Sequence, residues 1–246
     1  MVELVFIHGA GDSGDVWERQ VAYFGSRYPT LAVDLPGHGA RLAGVGEELD
    51  TVERIAADVI QQIRANGFAA PVLVGHSMGG AAAQMIALVD PELPRALVLA
   101  GSGAKLRIQP ALIEEARQRA AQAPPGAIFP RVIPLEDVTS AGAPPEAREW
   151  VRQHFGRSTA RATHADFVAT SSFDLIGRLG EIRQPTLVIG GEEDRWTPPK
   201  FQTYFAEHIP NVRLVMIPNA GHYPFVEQEA TFNRELEHFL GEIDGE

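Results

Sequence analysis

Val72-Leu73-Val74-Gly75-His76-Ser77-Met78-Gly79-Gly80 is the stretch from which the rest of the chain is read. An apolar strand pattern breaks there into small residues around one serine and resumes as a helix over 78–89. The spacing is G-x-S-x-G. So sharp a strand-to-helix turn crowds the backbone, and Gly75 and Gly79 leave room for a serine raised at the strand's C-terminal end, the arrangement called a nucleophile elbow. The helix that follows aims its first N–H groups at whatever the serine would attack. Taken alone, a Gly/Ser-rich turn is also plain punctuation between two elements.

Outward from this turn, short runs rich in Val, Leu and Ile alternate with segments of helical periodicity. Strands are expected at 4–8, 30–34, 72–75, 96–100, 186–190 and 213–217, with helices near 16–25, 52–66, 78–89, 199–207 and 231–240. Near-continuous apolar strands separated by helices indicate an α/β fold, a doubly wound and mostly parallel sheet of about six strands covered on both faces. The rhythm lapses over about 105–180. Helical runs at 111–122, 146–155 and 159–171, broken by Pro124-Pro125, Pro130, Pro134 and Pro144-Pro145, suggest a helical insertion between two strands.

Bulk properties remove several functional classes. With 246 residues and 45% hydrophobic content, one substantial core and a single domain are expected. The net charge of −11, with no basic block, argues against nucleic acid or an anionic membrane as partner; a small-molecule substrate is expected. The absence of cysteine excludes disulfides, thiol catalysis and a cysteine zinc site. The eight histidines are scattered without ligand spacing such as H-E-x-x-H, so no metal or other cofactor is expected. Met1 opens directly into Val2-Glu3-Leu4-Val5-Phe6-Ile7, which is no signal peptide, and a cytoplasmic location is expected.

Chemistry in such sheets gathers at the carboxyl ends of the strands. The first strand ends in His8-Gly9-Ala10-Gly11, the second in Asp34-Leu35-Pro36-Gly37-His38-Gly39, the third in the Ser77 turn, and the fifth in Gly190-Gly191-Glu192-Glu193-Asp194. The sixth is followed by Pro218-Asn219-Ala220-Gly221-His222-Tyr223-Pro224. A serine, an acid and a histidine thus stand in the order Ser77, Asp194, His222. With these motifs the chain resembles the α/β-hydrolase superfamily along essentially its whole length. The resemblance implies a core of 1–104 and 181–246 roofed by a helical lid at about 105–180. It also implies a sheet that starts at the family's third strand, without the two leading antiparallel ones.

A neutral serine hydroxyl is a poor nucleophile and needs a base within hydrogen-bond reach; His222 is the candidate, oriented by an acid. The family spacing and the following Thr197-Pro198 favour Asp194 for that role over Glu192 and Glu193, with Asp34 and Asp174 as weaker alternatives. The family pattern assigns the oxyanion hole to the backbone N–H groups of Ala10 and Met78. His8, His38 and His76 belong to loops where a histidine commonly satisfies backbone groups. His154 and His164 lie in the insertion with Arg157 and Arg161, on a solvated face or, if turned inward, positioned to meet a carboxylate.

Gly11, Phe129, Trp150, Phe167, Trp196 and Tyr223 are candidates for the substrate pocket, with Ile128, Val132, Ile133 and Phe155 as further apolar groups of the insertion. The insertion residues serve equally well as its own small core. A carboxylic ester with a modest apolar part is the expected substrate. Relatives of this kind also cleave carbon–carbon bonds, hydrolyse thioesters or form peracids, and some are ligand receptors that kept a triad. Carbon–carbon hydrolases often carry a tryptophan directly after the catalytic histidine, where Tyr223 stands here. Epoxide hydrolases and haloalkane dehalogenases need an aspartate where Ser77 stands.

Overall fold

The computed structural model describes residues 2–42, 49–124, 126–129 and 133–245, so Pro125, Pro130 and Val132 lie outside the described residues. Six strands, β1 (Leu4–Ile7), β2 (Thr30–Val33), β3 (Val72–His76), β4 (Ala96–Ala100), β5 (Thr186–Gly191) and β6 (Val212–Ile217), form one sheet. Their order is β2-β1-β3-β4-β5-β6 and the pairings are parallel. Each strand agrees with its expected run to within one residue. The chain winds from β1 outward to β2 and then returns to set β3 on the other side of β1, so the strand order reverses between β1 and β3. A crevice for ligands opens at such a reversal. Here its two lips are the His8–Gly11 loop and the Ser77 turn.

The sheet is buried on both faces because side chains alternate along each strand. Leu4, Phe6, Val72, Val74, Val98 and Ile189 enter one core, where α1 (Glu18–Phe24) and α10 (Glu229–Asp244) contribute Phe24, Phe232, Leu236 and Leu240. Val5, Ile7, Leu73, Leu97, Leu99 and Val188 enter the other, beneath α2 (Val52–Ala65), α3 (Met78–Val89) and α8 (Pro199–His208). The expected helix at 16–25 is split into a 3-10 turn, Gly14–Trp17, and α1.

The helix α2 buries the stripe Val52, Ile55, Ala56, Val59 and Ile63, and the Thr51 hydroxyl accepts the Arg54 N–H at its start. Burial extends nearly all round α3, a run of small residues that seats it directly on the sheet. A Cβ on Gly79 would come within 2.3 Å of the Ile7 carbonyl, and one on Gly75 within 2.3 Å of the Gly79 carbonyl. The two glycines of the G-x-S-x-G motif are therefore packing requirements as well as turn formers.

Between β4 and β5 lie α4 (Pro110–Gln122), α5 (Leu135–Val138), α6 (Pro145–His154) and α7 (Ala160–Ser172). Prolines open α4 and α6 at the position where a missing N–H costs nothing. The short α5 falls where the sequence suggested only a proline break. Among the described residues this stretch adds no strand to the sheet. A further short helix, α9 (Pro224–Glu227), follows the His222 loop.

Candidate active site

Ser77 stands between β3 and α3 with φ 52° and ψ −114°. A non-glycine residue held there stores about 1–3 kcal/mol of strain, which the surroundings must over-determine. They do so from three sides. The Ser77 N–H donates to the Ala100 carbonyl at 3.0 Å, the Ser102 hydroxyl donates to the Ser77 carbonyl at 2.8 Å, and the N–H groups of Gly80 and Ala81 reach that same carbonyl at 3.0 and 3.2 Å.

His222 and Asp194 come together from the loops after β6 and β5, 2.9 Å apart between Nδ1 and Oδ2, and both are buried. The Asp194 carboxylate also accepts the N–H groups of Trp196 and Thr197 at 2.8 and 2.9 Å and the Thr197 hydroxyl at 2.6 Å. These bonds fix the carboxylate so that it accepts a hydrogen bond from the Nδ1–H and leaves Nε2 of His222 with a lone pair. Burial pushes the His222 pKa down, but the charge and hydrogen bond of Asp194 outweigh it and the net direction is up.

The loop itself is pinned to the inserted segment. The His222 N–H donates to the Val138 carbonyl at 2.9 Å, and buried Glu227 accepts the N–H groups of Ser140, Gly221 and Tyr223 at 2.7, 2.9 and 3.0 Å. The rival acids are placed elsewhere. Glu193 accepts the Ser140 hydroxyl, Glu192 is exposed, Asp34 takes the N–H groups of Gly14 and Ala40, and Asp174 pairs with Lys105 at the surface.

The three loop histidines divide. His8 donates from Nδ1 to the Gly9 carbonyl and accepts the Leu35 N–H at Nε2, and burial, followed by the charge of His38, lowers its pKa to about 4. His76 donates from Nε2 to the His222 carbonyl at 2.9 Å. His38 satisfies a backbone group on one nitrogen only: Nδ1 faces the Pro36 carbonyl at 3.0 Å, while Nε2 lies 2.9 Å from Oδ2 of Asp166 on α7. With an acceptor at each nitrogen the ring is held as the cation. His154 stacks on Trp150 and Arg157 pairs with Asp15, so neither is turned toward Ser77.

A narrow cavity lies over the serine, walled by Gly9, Ala10, Asp12, His76, Ser77 and His222 from the sheet side. Ile108, Ile133, Val138, Phe155, Phe167 and Thr170 of the inserted segment close it, with Trp196 and Tyr223 at the flank. Its volume is about 30 Å³, room for roughly two waters. Ala10 borders this space, and Met78 is the first residue of α3, whose N–H has no partner inside the helix.

Of the expected pocket residues, Phe167, Trp196 and Tyr223 line the cavity. Gly11, Phe129 and Trp150 are directed elsewhere. The Gly11 N–H is committed to Asp166 at 2.7 Å, Phe129 is buried beneath the Arg119 guanidinium, and Trp150 packs between His154 and Arg19. Asp12, Ile108, Val138 and Thr170 escaped the sequence reading. Only Asp12 carried a signal, as the residue directly after the His8-Gly9-Ala10-Gly11 loop.

The alpha/beta hydrolase family profile matches residues 4–235. A pimeloyl-[acyl-carrier protein] methyl ester esterase from Nitrosomonas europaea is 29% identical over 91% of this chain and 90% of its own. A 2-hydroxy-6-oxononadienedioate/2-hydroxy-6-oxononatrienedioate hydrolase from Burkholderia vietnamiensis is 29% identical over 96% of this chain and 86% of its own. The structure of a thermophilic esterase from Thermogutta terrifontis, with malate bound, superposes with a TM-score of 0.85 at 25% identity, covering 99% of this chain and 90% of that one. By profile, sheet and elbow alike, the chain belongs to the α/β-hydrolase family and is a hydrolase.

Proposed function

We propose that the protein is a serine hydrolase that cleaves a small, partly apolar carboxylic ester through an acyl-enzyme. The observation that carries this reading is the buried Asp194–His222 bond at the wall of the same cavity that holds the strained Ser77. Nε2 of His222 takes the Ser77 proton as Oγ attacks the ester carbonyl. The N–H groups of Ala10 and Met78 receive the developing oxyanion, each such donor contributing about 2.7–4 kcal/mol to the rate. His222 then returns the proton to the departing alkoxide, and water, deprotonated by the same nitrogen, releases the acid.

The helices at about 105–180 serve as the lid. Their apolar side chains Ile108, Val138 and Phe167 suit an acyl or alcohol group of hydrocarbon character. The test is a panel of p-nitrophenyl esters and thioesters scored by kcat/KM, with Ser77→Ala alongside. Multiple turnover by the wild type and loss of at least about 10⁴-fold in the variant are expected. Slow turnover with a large ligand-induced stability shift would favour a receptor instead.

Carbon–carbon hydrolysis is the second reading, favoured by the Burkholderia relative. Faster turnover of a 2-hydroxy-6-oxo-dienoate than of any ester would select it.

A further inference from the structure

The carboxyl group of Asp12 is fully buried at the wall of the cavity shared by Ser77 and His222. The Tyr223 hydroxyl donates to it, 3.1 Å from Oδ2 and 3.3 Å from Oδ1. On its other side, Oδ2 lies 3.9 Å from Nδ1 of His76, a buried nitrogen with no hydrogen-bond partner among the described residues. The protonation of that ring follows from its other nitrogen. Nε2 faces the His222 carbonyl, which only accepts, so Nε2 carries the hydrogen.

Burial, followed by the charge of His222, holds His76 well below the ordinary histidine range, so the ring is neutral and Nδ1 presents a lone pair to Asp12. While Asp12 is ionised, Nδ1 of His76 faces an acceptor and has no donor, and one buried acceptor left unsatisfied costs about 1–3 kcal/mol. One proton between them turns the clash into a hydrogen bond.

We propose that Asp12 works as a neutral carboxylic acid that donates its hydrogen to Nδ1 of His76, and is thereby a positioning residue for the reaction. The resulting chain runs from the Tyr223 hydroxyl to Asp12, from Asp12 to His76, and from His76 Nε2 to the His222 carbonyl. It joins three loops. Asp12 stands two residues beyond the oxyanion donor Ala10, His76 directly precedes the nucleophile, and His222 and Tyr223 belong to the loop of the base. Closing the 3.9 Å Asp12–His76 gap to hydrogen-bond length takes about 1 Å.

The charged groups around Asp12 are His222 on the loop after β6, His38 beyond β2 and Asp166 on α7; the two histidines favour its ionisation and Asp166 opposes it. Burial is the largest influence and raises the Asp12 pKa to about 7. Loss of the bridging proton above that pH separates the loops again.

This inference rests on the serine hydrolase reading for its kinetic consequence but not for the proton itself. Two variants and one spectroscopic measurement test it. Asp12→Ala breaks the chain and is expected to lower kcat by about 10–100-fold with a smaller change in KM, as for a misplacement of about 1 Å. Asp12→Asn keeps a donor toward His76 and an acceptor toward Tyr223. It is expected to recover most of that loss at pH 6 and to abolish the decline in kcat that the wild type shows above about pH 7.

Infrared difference spectroscopy of the wild type between pH 6 and pH 9 is expected to show the carbonyl stretch of a protonated carboxyl that disappears in Asp12→Asn. An Asn variant as slow as Ala at pH 6, or an unchanged alkaline limb in Asn, overturns the positioning role. Absence of the infrared band overturns the neutral acid even if no ester is ever turned over.

Discussion

Oδ2 of Asp166, on a helix inserted between β4 and β5, lies 2.9 Å from Nε2 of His38 in the loop after β2, and both side chains are buried. The same oxygen accepts the Gly11 N–H at 2.7 Å, so one carboxylate holds α7 to two loops at the mouth of the crevice. Removing one member of a buried pair leaves the other uncompensated, and Asp166→Ala is expected to lower stability by about 3–5 kcal/mol in chemical denaturation.

The pH dependence of this pair has a definite sign. Burial lowers the His38 pKa, but the charge and hydrogen bond of Asp166 more than reverse it, so the folded value lies above the ordinary one. The stabilisation is complete below the unfolded histidine pKa of about 6.5 and is lost as pH rises through the folded value. The stability gap between wild type and Asp166→Ala should therefore narrow from pH 6 to pH 9. A gap that widens over that interval would place the proton elsewhere.

Asp194→Asn keeps the size of the side chain but no longer fixes the His222 tautomer. A fall in kcat of about 10⁴-fold with a nearly unchanged melting temperature is expected, since loss of tautomer control has that magnitude in a serine triad. Steady-state kinetics with one ester and a thermal melt check both halves.

Much of this architecture was legible in the chain because parallel strands buried on both faces leave continuous runs such as Val72-Leu73-Val74 and Ala96-Leu97-Val98-Leu99. Ser77, Asp194 and His222 were legible for a related reason, since each sits just beyond a strand in a loop whose small residues answer to backbone geometry. The inserted segment was less so. Its helices follow from periodicity, but Phe129, Trp150 and Phe167 are alike in composition, and only packing turns the third toward Ser77 and the other two away. The buried links of Asp12 to Tyr223 and of His38 to Asp166 span 211 and 128 residues, and no local pattern announces such pairs.

Gly79→Ala tests the seating of α3 on the sheet. The added methyl would stand 2.3 Å from the Ile7 carbonyl and 2.6 Å from that of His8, both backbone atoms that cannot swing aside. A loss of about 1–3 kcal/mol or more is expected from overpacking, together with a reduced kcat because the displaced helix carries Ser77 with it. Urea denaturation and ester kinetics on the same preparation give the two numbers.

Val138→Ala enlarges the lid side of the cavity where Val138 lines it. The ratio of kcat/KM for p-nitrophenyl hexanoate over acetate should rise by about 10-fold, within the range that a methylene-sized change in an apolar pocket commands. An unchanged ratio would mean that the acyl chain lies elsewhere.

Intact-protein mass spectrometry after exposure to a fluorophosphonate reports whether Ser77 is the nucleophile. One adduct per chain is expected, mapped to the peptide containing Ser77 and absent from Ser77→Ala. A wild-type protein that takes no label, or takes it on another residue, would exclude Ser77 as the nucleophile.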